Sequence, residues 1–322
     1  MFLMSRQGFY IIFCLLLLTT AGKLFAQQDA QFSQYMFNSI YITPAAAGAE
    51  GVTRFTALHR SQWIGYQSSF GERGAPTSQL LSFTTPVHRI NSGFGSYILH
   101  DQIGNLNNLE IQTMFAYHLG IGESKLSFGL KVGAVAQTVD GGEYRWIQDG
   151  DDLIIAGKET QVRPDIGMGI MYRTEKFYGG LGVNHLTNAT FDFGRNGSRN
   201  ALERHMNFTA GYYYDVNFDL QINPTVLVKT DFNEYSFDLG AIATYRNTMW
   251  GGLSFRQSEA LNLILGYALL KDKSLKLGYS IDFTVKDKQA KTASSHELML
   301  TYDLPVSPGS GKKIVRTPRY RH

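Results

Sequence analysis

Ser124 to Thr138 reads SKLSFGLKVGAVAQT. Leu126, Phe128, Leu130, Val132, Ala134 and Ala136 are apolar, and Lys125, Ser127, Gly129, Lys131, Gly133 and Gln137 lie between them; Val135 alone breaks the alternation. Successive side chains on a strand point to opposite faces, so period two predicts a strand with one greasy face and one face of lysines, glutamine and small residues. Soluble strands run about 5 to 6 residues, and this pattern persists for about twice that. About 9 to 11 tilted residues cross a bilayer. The stretch therefore predicts an outer-membrane barrel strand, apolar toward lipid and polar inward.

The same periodicity recurs on both sides of it. Candidate strands are 52–59, 78–85, 93–101, 109–119, 125–138, 165–173, 177–184, 205–215, 218–229, 235–246, 249–256, 261–269, 275–285 and 296–304. The fold class is accordingly all-β, a transmembrane antiparallel barrel of about 14 strands, an even number as bacterial single-chain barrels have. Longer connections (60–77, 102–108, 139–164, 185–204 and 286–295) largely alternate with brief ones, as outer loops alternate with periplasmic turns. With 33 Gly, 18 Tyr and 21 Phe, the composition suits closely spaced strands and aromatic girdles at the membrane interfaces.

Residues 1–26 read as a secretory signal: Arg6, an apolar run from Phe9 to Leu18, and a small residue, Ala26, at the expected cut. Cys14, the single cysteine, lies inside that run and reads as an ordinary signal residue, which leaves the mature chain without a disulfide or thiol nucleophile. Without Arg6 and Lys23 the mature chain carries 28 basic against 27 acidic side chains, a balance that gives no sign of nucleic-acid binding. Residues 51–304 form the barrel, and 305–322 form a basic periplasmic tail with Lys312, Lys313, Arg316, Arg319 and Arg321. That tail is either solvated or docks on an acidic partner or lipid head groups.

Residues 27–50, QQDAQFSQYMFNSIYITPAAAGAE, lack the alternation. Phe32, Tyr35, Met36 and Ile40 share a helical face, and Thr43-Pro44 followed by Gly48 ends any helix. The segment is expected to be a periplasmic strap or a plug at the barrel mouth. QFSQYMFNSIYITPAAAG resembles the N-terminal signature of the PorP/SprF family of type IX secretion outer-membrane proteins, with Ser39 and Thr43 departing from the family's Asn-Pro positions. HRSQWIGYQ (59–67), GAPTSQLLSFTTPV (74–87), HDQIGNLN (100–107), KLSFGLKVG (125–133), EKFYGGLGVNHL (175–186) and SSHELMLTYDL (294–304) continue the resemblance in order.

The resemblance implies an integral outer-membrane component that helps secrete or retain surface proteins with type B C-terminal signals, such as gliding adhesins. Its implied partners are those proteins, other secretion components and outer-membrane lipid. The alternatives are a core component linking the periplasmic ring of the secretion machine to the outer membrane, and a passive porin-like channel. Partner binding is assigned to Phe32, Tyr35, Met36, Phe37, Tyr41 and Pro44 of the strap and to the five basic residues of the tail. Period two gives Glu110, Lys125, Lys131, Arg173, Asp238, Arg246, Arg256 and Asp282 a lumen-facing address.

No catalytic or cofactor motif emerges. The carboxylates of Gln148 to Asp152 lack the spacing of a calcium loop. Gly120 to Lys125 and Gly179 to Gly182 do not lie between a strand and a helix, as a phosphate loop requires. The histidines are scattered without a diagnostic pair, and no serine sits in a nucleophile elbow. The expectation is a non-enzyme without metal or cofactor.

Overall fold

The computed structural model describes residues 29–66, 74–141, 157–193, 198–285 and 294–304. Its strands are β1 (Arg54–Ser61), β2 (Thr77–Val87), β3 (Ser92–Ile103), β4 (Leu106–Ile121), β5 (Ser124–Asp140), β6 (Lys158–Arg173), β7 (Phe177–Asn184), β8 (Thr190–Phe193), β9 (Ser198–Ala201) and β10 (His205–Tyr212). They continue with β11 (Tyr214–Asp215), β12 (Leu220–Thr230), β13 (Tyr235–Tyr245), β14 (Met249–Arg256), β15 (Ala260–Ala268), β16 (Leu275–Thr284) and β17 (Ser294–Asp303). Each main-sheet strand pairs antiparallel with its neighbours, and β1 pairs with β17 to close the sheet. The two-residue β11 follows β10 along the same edge of β12, so the wall is a closed barrel of fourteen strands. β8 and β9 form a separate hairpin in the β7–β10 connection. Closure leaves no unpaired edge in the wall among the described residues, as hydrocarbon demands.

The opening stretch lies in β5 with the alternation it predicts: Leu130 is 52% exposed on the outside, whereas neighbouring Lys131 is 1% exposed within. Outward Ile98, Ile111, Phe115, Met168, Leu253, Leu265 and Leu300 continue an exposed apolar surface. Lipid covers a surface of this kind. Phe55, Tyr117, Tyr172, Phe177, Tyr212, Tyr245 and Tyr267 lie near the strand ends joined by the short turns, and all are exposed. They form an aromatic girdle on the periplasmic side.

Several boundaries differ from the sequence reading. β6 begins at Lys158, seven residues before the expected Asp165. Its first half, KETQVRP, has no apolar face because β5 and β6 are longer than a bilayer needs and pair beyond it. For the same reason the expected connection 102–108 shrinks to Gly104 and Asn105. β12 begins at Leu220, which leaves Phe218 in the preceding turn and almost fully exposed. Arg60, assigned to an outer connection, belongs to β1 and points inward.

Candidate functional site

Polypeptide fills the lumen. Asp29 lies beside His185, just past the end of β7 at the end with the long connections, which is the outer end. From there the chain descends through short turns, Tyr35–Phe37, Ser39–Ile42 and Pro44–Ala46, to Gly48 beside the wall at Thr84. Pro44 opens its turn with the φ that such a turn requires. The expected strap is thus a plug threaded through the barrel, not a segment on its periplasmic face.

Two wall positions show how closely it is seated. A Cβ on Gly129 would stand 2.2 Å from Ala45 N, and one on Gly182 would stand 2.3 Å from Ile42 O. Only a residue without a side chain admits the strap backbone there. Around these contacts the inward face is apolar. Leu80, Leu99, Met114, Met171, Ile264 and Met299 of the wall pack in one cluster with Phe32, Ile40, Ala45 and Ala47 of the strap.

Polar anchors flank this apolar middle. Glu297, fully buried, accepts the backbone N–H groups of Ser33 at 2.8 Å and Gln34 at 2.9 Å. The Ser33 hydroxyl donates to Asp282 at 2.7 Å and accepts from Arg60 at 2.7 Å. Arg60 also pairs with Asp282 at 2.6 Å. Arg256 pairs with Asp238 at 3.0 Å and donates to the Phe32 carbonyl at 3.3 Å. Tyr35 shares a hydrogen bond with Thr225 at 2.9 Å. Buried N–H groups of an irregular segment need such partners.

A second polar cluster holds the start of the strap. Asp29 Oδ1 lies 2.9 Å from His185 Nε2, and Asp29 Oδ2 lies 3.7 Å from His205 Nδ1. His185 Nδ1 lies 3.2 Å from Asp165 Oδ1. Lys131 approaches Asp165 at 3.9 Å and donates to the Tyr97 hydroxyl at 3.1 Å, which in turn donates to Glu110 at 3.3 Å. Burial opposes charge on His185, but Asp29 and Asp165 outweigh it and raise its pKa to about 10. Burial likewise opposes the Asp29 carboxylate, yet the two histidines and Lys131 hold it well below the usual range.

The sequence-predicted residues divide by depth. Glu110, Lys131, Asp238, Arg256 and Asp282 are buried inside the barrel. Lys125 is exposed at the periplasmic rim and Arg173 is half-buried there. Arg246 is not in the lumen: it sits past the end of β13 at φ 52°, its side chain 61% exposed and 3.1 Å from Asp219. Of the strap residues, Phe32 packs edge-on against Tyr41 and Tyr41 edge-on against Tyr97, Phe37 packs at a tilt against Trp250, Tyr35 and Pro44 are buried and Met36 is half-buried. Their side chains meet strap and wall, which leaves little of them for a partner arriving from the periplasm. The tail residues Lys312, Lys313, Arg316, Arg319 and Arg321, the signal and the acidic loop 148–152 lie outside the described residues.

Asp29, Arg60, Asp165, His185 and His205 escaped the sequence reading. Asp165 shares the inward parity of Arg173 and was legible from it; the meeting of Asp29 with the two histidines spans more than 150 residues and leaves no local spacing.

Residues 24–302 match the family model described as "Type IX secretion system membrane protein PorP/SprF". Among solved structures, the Ralstonia pickettii toluene transporter TbuX is similar at 15% identity over 82% of this chain and 92% of that chain, with a TM-score of 0.52. A Pseudomonas aeruginosa FadL homologue has 11% identity over 81% and 92% of the two chains and a TM-score of 0.47. Acinetobacter baumannii Omp33 has 5% identity over 78% and 98%, with a TM-score of 0.45. No curated protein sequence matches. At its identity, the likeness to TbuX bears on the barrel fold alone.

Proposed function

Because this chain belongs to the PorP/SprF family of type IX secretion system membrane proteins, we propose that it is a non-catalytic assembly component, which helps deliver or hold surface proteins carrying type B C-terminal signals, such as gliding adhesins. The observation that carries this reading is the lumen filled by residues 29–50, tied to the wall through Glu297, Asp282, Arg60 and Arg256. A barrel so closed serves as a platform better than as a conduit. Partners then meet its outer connections, its periplasmic rim and the basic tail. Deleting the gene is expected to leave type B cargo unsecreted or shed into the medium while other type IX exports reach the surface. Loss of all type IX export would favour the core component that links the periplasmic ring to the membrane. Unchanged cargo display would overturn both.

A further inference from the structure

The Asp29, His185 and His205 cluster has a property that the assembly role does not use. One carboxylate and two imidazoles present ligand atoms that all lie within 4.8 Å of one another, and both histidines are buried. Two nitrogens and one oxygen are the donor set of a zinc-class divalent cation, bound at about 2.0–2.2 Å in tetrahedral geometry.

The surroundings are built as such a site requires. His185 Nδ1 lies 3.2 Å from Asp165 Oδ1 as an ion pair without hydrogen-bond geometry, and a small rotation of the ring on metal binding would complete the carboxylate–histidine contact that orients a ligating imidazole. His205 Nδ1, 3.7 Å from Asp29 Oδ2, faces the Glu203 carbonyl at 3.0 Å, so ligation through this nitrogen exchanges that contact for the metal, with the ring proton on Nε2. Asn184, paired in register with His205, and Asn207, two residues along the same inward face, each keep a buried side-chain oxygen without a hydrogen-bond partner among the described residues. Those orphaned acceptors suit the remaining coordination position, directly or through a water. Once the proton between Asp29 and His185 has left, Asp29 and Asp165 face Lys131 as the neighbouring cation, so a divalent cation takes over the charge that the His185 imidazolium supplied.

We propose that Asp29, His185 and His205 bind one zinc-class divalent cation, clamping the start of the luminal strap to the β7–β10 side of the wall. On binding, the metal replaces the proton between Asp29 Oδ1 and His185 Nε2, and that proton leaves to solvent. Asp165 is a positioning residue for the His185 ring.

The test uses the full barrel, purified in detergent without a polyhistidine tag, with zinc as the probe. Equilibrium dialysis with elemental analysis is expected to find one tightly held zinc per chain, and cobalt(II) should give the visible bands of a tetrahedral site. His205→Ala and Asp29→Ser should each weaken zinc binding roughly tenfold or more, and Asp165→Asn by about 10- to 100-fold. Heat-modifiable migration reports whether each barrel is folded. Asp29 lies in the strap, so its replacement leaves the wall sheet intact if the His205 variant does not fold. Absence of stoichiometric zinc, or equal binding by Asp29→Ser and the parent protein, overturns the proposal.

Discussion

Replacing Glu297 with alanine tests how the strap is held. In the parent protein this carboxylate receives two strap N–H groups at 2.8 and 2.9 Å. Hydrogen bonds to a charged group contribute about 1.5–3 kcal/mol each, so the gross loss is about 3–6 kcal/mol. Water entering the vacated polar space recovers part of this, and about 3 kcal/mol of net weakening corresponds to roughly a 150-fold increase in strap opening. Arg60 keeps Asp282 at 2.6 Å, so the wall is not left with an unpaired buried cation. Hydrogen exchange followed by mass spectrometry reads the change: peptides within 29–50 should exchange roughly 150-fold faster, while barrel strands keep their protection. Unchanged strap exchange would refute the anchoring role, and uniform loss of protection would show that Glu297 supports the wall instead.

Gly129→Val places a side chain where a Cβ already stands 2.2 Å from Ala45 N. The barrel should still insert and migrate as a heat-modifiable species, with strap protection lost around residues 43–47; normal protection there would contradict the seating described. Phe191→Ala empties the outer cluster of Val135, Phe193 and Leu202, with Arg163 above the Phe191 ring at 5.6 Å. A buried Phe→Ala change costs about 3–5 kcal/mol, so protease added to intact cells should cut between β7 and β10 in the variant and spare the parent; equal cutting would refute the packing.

The barrel was legible because lipid enforces a strict rule. Every spanning strand must carry an apolar face, so period two located all fourteen staves, and it lost the strand where that rule lapses, as in residues 158–164 beyond the bilayer. Val135, the exception in the opening stretch, is 2% exposed against Phe191 and Phe193 of the outer hairpin, so an apolar inward residue there marked a cover the periodicity could not name. Leu80, Leu99, Met114 and Ile264 are likewise apolar on the inward face, a signal of a luminal occupant that the alternation alone did not single out. The occupant's path was not legible, because it is set by contacts such as Ser33 to Glu297 that lie 264 residues apart. Arg246 failed for a local reason: parity gave it an inward address, but the strand ends at Tyr245 and the turn carries it out to Asp219.

Planar-bilayer recording of the purified barrel tests most directly whether the strap closes the lumen. The parent protein should be electrically silent, and deletion of residues 29–49 should give steady openings; large, steady conductance by the parent would contradict a closed platform and favour a passive channel.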